Sequence, residues 1–307
     1  MTPQATSVKI PAMQLQNGRF RTAKPAVIIE SELHIILNGR QLATASLLPG
    51  MEEEFVTGYL FGQGFIKTPE EIASITVEGS SAEVTLADKT VPFPESTRYR
   101  IVSGGGRSAF AGDRLPQIHS DLTLKKDVVF QAMNRLFDMG TLYKATEGAH
   151  AAGIFTSAAE PVCIIEDIGR HNCLDKAIGY ALLQNIHCSR HFLASTGRMA
   201  SEMVAKLCRA GFPVVATKTA VTDRGRETAL ACGMTLIGFV RDTGMKLHTD
   251  MAVRIIEEPV MKIYTGAERI TEKFGEILRM ISRGSSPPRL YQFSTHRRRP
   301  EPDPESH

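Results

Sequence analysis

Seven consecutive residues, Glu166-Asp167-Ile168-Gly169-Arg170-His171-Asn172, place two carboxylates, a guanidinium and an imidazole directly after an apolar run, Val162-Cys163-Ile164-Ile165. An arginine offers a planar fork that matches phosphate. Glu166 or Asp167 can accept from a guanine edge or a ribose hydroxyl. Gly169 is expected to let the backbone turn sharply, so that the following amides open a helix whose N-terminus suits an anion. A capped loop with internal ion pairs is the alternative use of the same residues.

The theme recurs. Ser195-Thr196-Gly197-Arg198 again leads from an apolar run towards a helix, with Ser201 and Glu202 following. Thr217, Lys218, Thr219 and Thr222 repeat it, and Arg241-Asp242-Thr243-Gly244 close the series after Phe239 and Val240. Each group alone reads equally as helix capping. Four consecutive strand ends with anion-ready groups point to one shared site, because ligands of open α/β sheets bind beyond the carboxyl ends of the strands. His150, in Thr146-Glu147-Gly148-Ala149-His150, is a base, a stacking platform or a satisfied core group. Gly104-Gly105-Gly106 is either a backbone anion nest or a flexible loop.

Some chemistry is excluded. A zinc nucleobase deaminase needs H-x-E and a later P-C-x-x-C, but Ala151-Ala152 follow His150 and no CxxC occurs. No GxGxxG follows a strand at a helix start, which argues against a nicotinamide dehydrogenase. The five cysteines, at 163, 173, 188, 208 and 232, read as reduced thiols. No metal site is expected.

The elements that must position these groups fall into two patterns. Residues 1–25 look irregular. Ala26 to Leu37 gives two short strands, and Asn38-Gly39 is a hairpin signal before the next strand. Phe55, Val56, Tyr59, Leu60 and Phe61 recur at helical spacing, and residues 73–102 alternate like strands. The first pattern is therefore a small α+β unit with an antiparallel sheet. After the loop at 103–117, helices are expected at 127–139, 172–183, 200–210 and 224–232. They alternate with strands at 162–166, 191–195, 214–217 and 235–240. That alternation implies an open α/β sheet with helices on its faces. The expected division is an irregular N-terminus at 1–25, a small α+β domain at 26–120, an α/β domain at 121–283 and a disordered tail at 284–307. Met261 to Ile270 echoes Met245 to Ile255, a local strand duplication.

The net charge of +3 is too small to argue for nucleic acid, and no apolar stretch is long enough to cross a bilayer. The first twenty residues lack an apolar signal core, so a cytoplasmic location without membrane contact is expected.

The stretches EDIGRHNCLDKAIG, STGRMASEMVAK, TEGAHAA, LIGFVRD and NG…LLPGMEEEFVTGYLFGQGFI resemble the formate dehydrogenase accessory sulfurtransferase family, FdhD, over about residues 26–270. The resemblance implies a small N-terminal domain and a C-terminal domain of cytidine-deaminase-like fold. It also implies an accessory sulfur carrier in maturation of the bis-molybdopterin guanine dinucleotide form of the molybdenum cofactor. The partners implied are a cysteine desulfurase and the formate dehydrogenase catalytic subunit, with pairing into a homodimer. By position, the cofactor-contacting segment falls on Phe239, Val240, Arg241, Asp242, Thr243 and Gly244. The EDIGRH and STGR turns would complete the pocket, and a guanine nucleotide would mimic the cargo. The family typically carries a CxxC whose thiolate holds the persulfide, but Gly105 and Ser108 stand there. That departure favours an alternative, a cofactor-holding chaperone without its own persulfide relay. Cys173 is the best-placed surrogate, because Arg170, His171 and Lys176 nearby would favour its thiolate.

Overall fold

In chain order, the elements alternate much as the hydrophobic spacing predicts. The computed structural model describes residues 5–88, 90, 99–101, 115–241 and 259–271. The compact unit described below runs from Met1 to Ile270. It opens with an antiparallel ribbon in which β1 (Ser7–Lys9) pairs β4 (Ala26–Ile28) and β2 (Ala12–Gln16) pairs β3 (Arg19–Ala23). Its tip is Asn17-Gly18, both at positive φ, the conformation of a type I′ hairpin turn. Residues 1–25 were expected to be irregular; the described part of them is a hairpin. Asn17-Gly18 was its signal, hidden because the flanking strands bury no face.

A five-stranded sheet follows, in the order β7-β8-β5-β6-β9. Its strands are β5 (Ser31–Leu37), β6 (Arg40–Leu47), β7 (Ile72–Glu78), β8 (Ser81–Leu86) and β9 (Tyr99–Ile101). Asn38-Gly39 makes the β5–β6 hairpin turn, as the sequence implied. The sheet is mixed, not antiparallel: β5–β8 and β6–β9 run parallel. The crossover between β6 and β7 carries α1 (Glu52–Gln63), which lets β8 return beside β5.

The second half holds β10 (Leu124–Lys125), α2 (Lys126–Met139), α3 (Thr141–Thr146), β11 (His150–Phe155), β12 (Pro161–Asp167) and α4 (Arg170–Leu183). It continues with β13 (Phe192–Ser195), α5 (Ser201–Ala210), β14 (Val214–Thr217), α6 (Asp223–Cys232), β15 (Thr235–Arg241) and β16 (Val260–Thr265). Six of its strands form one sheet in the order β12-β11-β13-β14-β15-β16. β13, β14 and β15 are parallel, and β11 and β16 run against them. Alternation along these short strands sends Phe192, Ala194, Val214, Ala216 and Ile237 into a core with α2. Leu193, Val215 and Leu236 enter a second core with α1, α4, α5 and α6. The chain is thus a mixed α/β fold. Among the described residues no helix is long and apolar enough to cross a membrane.

α1 is buried from Phe55 through Gln63 without a solvated stripe, because it lies against both its own sheet and α4. The contact with α4 depends on glycine. A Cβ at Gly58 would sit 1.8 Å from the Asp175 carbonyl oxygen, and one at Gly179 would sit 1.8 Å from that of Glu54. Two buried ion pairs tie α4 to its other neighbours. Lys206 of α5 meets both oxygens of Asp175 at 2.6 Å, and its ammonium also lies 5.6 Å from the Tyr59 ring.

The second pair joins β12 to α4, and hydrogen bonds from both partners reach Leu48, just after β6. Asp167 is fully buried, and Lys176 is 1% exposed. The Lys176 ammonium stands 2.8 Å from Oδ2 of Asp167 and donates to the Leu48 carbonyl at 2.8 Å. Oδ2 also accepts from the Leu48 amide at 3.1 Å. Oδ1 takes the Gly169 amide at 3.0 Å and the Asn172 side chain at 2.8 Å. Asn172 Nδ2 also donates to the Ser46 carbonyl at 2.8 Å.

Two substitutions test these contacts. Gly58→Ala, despite its better helix propensity, is expected to lower unfolding free energy by about 2 kcal/mol or more, since the clash is with backbone. The readout is a lower urea midpoint at unchanged slope; an unmoved midpoint means that the helices do not touch there. Asp167→Asn leaves Lys176 buried without a counter-charge and is expected to cost about 3–5 kcal/mol. Adding Lys176→Met is expected to restore part of that loss, and no recovery would argue against the pairing.

Candidate functional site

β12, β13, β14 and β15 end at the same edge of the six-stranded sheet, and β11, running the other way, starts there with His150. Four strand steps separate β12 from β15, so this edge is on the order of 19 Å long. The turns along it are bonded to one another. Thr196 donates its amide to the Ala151 carbonyl and accepts the Ala151 amide at its hydroxyl, 2.9 and 3.0 Å. Thr217 Oγ1 donates to the Gly197 carbonyl at 2.7 Å, and the Lys218 amide to that of Ser195 at 3.0 Å. The Phe239 amide donates to the Thr219 carbonyl at 2.9 Å. Threonine recurs at these tips because its hydroxyl closes the turns.

The EDIGRH and STGR turns meet side by side. A Cβ at Gly197 would lie 2.7 Å from Cβ of Arg170, so glycine there leaves room for the arginine. Burial and the neighbouring Arg198 guanidinium hold Arg170 below its ordinary pKa, and Glu202 opposes them. Arg198 itself is exposed. Glu202 Oε1 lies 2.9 Å from Nε2 of His171. Arg170 thus has both the Arg198 guanidinium and the Glu202 carboxylate in its neighbourhood. Guanidiniums set side by side in this way can present their forks to an anion.

Both histidines are held towards the neutral form. His150 is pushed down first by burial and then by Arg170, against the pull of Asp167; its Nδ1 stands 3.3 Å from Thr196 Oγ1. His171 is pushed down by burial and by Lys206, against its bond to Glu202. His171 Nδ1 is buried without a hydrogen-bond partner among the described residues.

At the far end, Phe239 has φ +55°, a left-handed backbone uncommon for a bulky side chain, inside an irregular stretch of the β15–β16 pairing. Strain of this kind concentrates at functional sites. Lys262 Nζ lies 4.6 Å from the Phe239 ring centroid and the Arg241 guanidinium 5.8 Å. Lys218 sits 4.0 Å over the Phe137 ring, its pKa lowered by burial and then by Arg241. A second cationic cluster, Lys218, Arg241 and Lys262, thus lies along the edge from Arg170 and Arg198.

Other residues of the sequence reading serve the fold. Glu166 accepts the Leu142 and Tyr143 amides at 2.9 and 2.8 Å, which ties down the start of α3. Asp167 is the internal clamp described above, so neither carboxylate is left free for a guanine edge. Gly169 does not turn left-handed: its φ is −110°, and glycine is needed because a Cβ would meet Asn172 Nδ2 at 2.8 Å. Ser195 is buried and accepts the Gly197 amide at 3.1 Å. Val240 is core. Asp242, Thr243, Gly244, Gly105 and Ser108 lie outside the described residues. Lys262 was missed, because only the pairing of Gly238 with Lys262 brings it to the edge.

The expectation for Cys173 is overturned. Its side chain is fully buried, and burial, reinforced by Asp167, pushes the thiol far above its ordinary pKa; Lys176 opposes this too weakly. Burial also raises Cys163 to about 11 and Cys188 to about 12, and it raises Cys208 and Cys232. Among the described residues no group of three or more His, Cys, Asp or Glu is placed to hold a metal. A cavity of about 480 Å³ lies elsewhere, lined by Ser31, Glu32, Leu47, Glu52 and Ser80 among others. Among the described residues its wall holds carboxylates and no cation, which does not suit phosphate.

The chain is similar to known proteins over most of its length. The model of the FdhD/NarQ family matches residues 28–271. The sulfur carrier protein FdhD of Geobacillus kaustophilus is 31% identical over 247 residues, 78% of this chain and 94% of the relative. That of Methanothermobacter thermautotrophicus is 29% identical over 248 residues, 78% of this chain and 96% of the relative. A crystal structure of a protein assigned as a formate dehydrogenase accessory protein, from Desulfotalea psychrophila, superposes with a TM-score of 0.69 at 25% identity. It covers 87% of this chain and 100% of its own. The length of the family match and the likeness of fold agree: the chain belongs to the FdhD/NarQ family.

Proposed function

We propose that the chain serves a formate dehydrogenase by holding the guanine dinucleotide form of the molybdenum cofactor, as cargo, along the edge formed by the tips of β12 to β15. The observation that carries this reading is the packing of Arg170 across Gly197 beside Arg198. Guanidinium forks match phosphate oxygens, and an edge on the order of 19 Å long suits an elongated polyphosphate better than a single phosphate. The cluster of Lys218, Arg241 and Lys262 offers a second point of charge at the other end. His150, kept neutral, can stack or hydrogen-bond without adding to the charge.

Sulfur transfer is the second reading, and the names of the relatives favour it. A persulfide carrier needs an accessible thiolate. Every cysteine of this chain has its thiol pushed above the ordinary range, and Gly105 and Ser108 stand where the resemblance places the reactive pair. The chaperone reading fits these residues better.

Calorimetric titration of the full chain with guanosine diphosphate tests the first reading. Arg198→Ala is expected to weaken binding about tenfold to a hundredfold, the loss of one charge-assisted contact. Absence of nucleotide binding, or binding indifferent to Arg198, would sink the proposal. For sulfur, intact-mass analysis after treatment with a cysteine desulfurase and cysteine is expected to show no added sulfur atom on any cysteine. A persulfide on Cys173, together with loss of dehydrogenase activation in Cys173→Ala, would restore the carrier reading.

A further inference from the structure

The ribbon β1–β4 precedes nearly all of the stretch matched by the family model, which begins at residue 28. Cross-strand register gives it two unlike faces. Met13 opposite Thr22 and Leu15 opposite Phe20 share one face; Gln14 opposite Arg21 and Gln16 opposite Arg19 share the other. Met13, Leu15 and Phe20 are 65, 60 and 70% exposed. The first 29 residues hold Lys9, Arg19, Arg21 and Lys24 and no acidic residue. An isolated two-stranded ribbon is marginal in water, and an apolar face on it is normally covered. Its root is fixed: Ile28 packs with Leu48, Leu142 and Ala149, directly before His150 at the strand-tip edge.

Three occupants can be weighed. A second copy would set ribbon against ribbon and bury roughly 800 Å² in all from these side chains, short of the ~1,200 Å² of stable interfaces. A membrane would leave the unpaired edges of a two-stranded ribbon without hydrogen-bond partners in hydrocarbon. A protein surface with an apolar strip bordered by carboxylates matches both the apolar face and the uniformly positive charge. An interface of this size is weak and reversible.

We propose that this ribbon is the docking element for the protein that takes the cargo from the strand-tip site, engaged through an apolar strip rimmed by Asp and Glu. The inference rests on the cargo-holding reading above. The root of the ribbon at the rim of the site brings such a partner to the cargo, and reversibility permits handover.

The test uses the full chain and, as probe, the cofactor-free catalytic subunit of formate dehydrogenase, with affinity followed by interferometry at low and high salt. Leu15→Ser with Phe20→Ser, and separately Arg19→Glu with Arg21→Glu, are each expected to weaken binding about tenfold or more. Salt is expected to weaken the wild type, and guanosine diphosphate binding is expected to stay unchanged in both variants. Equal affinity of wild type and both variants overturns the proposal, as does a wild type that does not bind the subunit. Loss of a dimer by light scattering, or of binding to phosphatidylserine vesicles, with subunit binding intact, reassigns the ribbon and overturns it too. Failure of the wild type to bind the nucleotide counts against the cargo reading, a separate result from the ribbon's affinity for the subunit.

Discussion

The Asp167 carboxylate sits where the two sheets of the fold are joined, and it has no contact with water. A buried carboxylate is tolerable only if its lone pairs are filled and its charge is matched. Here the Gly169 amide and the Lys176 ammonium come from the turn and helix that follow at once, while the Leu48 amide must be brought in from 119 residues away. The next residues, Gly169 and Arg170, leave that anchor to start α4. The position of Arg170 at the sheet edge therefore follows from a charge that is itself out of reach of any ligand.

From that anchor the rest of the edge is built by short-range rules. Gly58 and Gly179 let α1 and α4 approach to backbone contact, which sets the height of α4 over the sheet. Gly197 makes room for Arg170, and threonine hydroxyls stitch each turn to the next. The result is an edge along which Arg170, Arg198, Lys218, Arg241 and Lys262 are set. Glu166 and Asp167 would have opposed these charges, but both are directed inward or onto α3.

Much of the architecture was legible in the residues. Short apolar runs gave the strands from β12 to β15, helical spacing gave α1 to α6 apart from α3, and Asn38-Gly39 gave its hairpin. What escaped was set by tertiary contact. Parallel pairing of β5 with β8 depends on where α1 lands, and no local pattern encodes that. Gly169 looked like a turn glycine, whereas it answers to the amide of Asn172. Cys173 looked activated because cations flank it in sequence, yet depth of burial outweighs them. The ribbon was missed although Met13, Leu15 and Phe20 alternate with polar residues, because its short strands bury neither face.

The central claim is that turns at neighbouring strand tips form one receptor for a polyphosphorylated guanine ligand. A crystal structure of the full chain soaked with guanosine diphosphate examines it most directly. The account predicts the diphosphate within hydrogen-bonding distance of Arg170 or Arg198 at the edge that His150 shares. A nucleotide bound away from that edge, with both guanidiniums turned from it, would contradict the account.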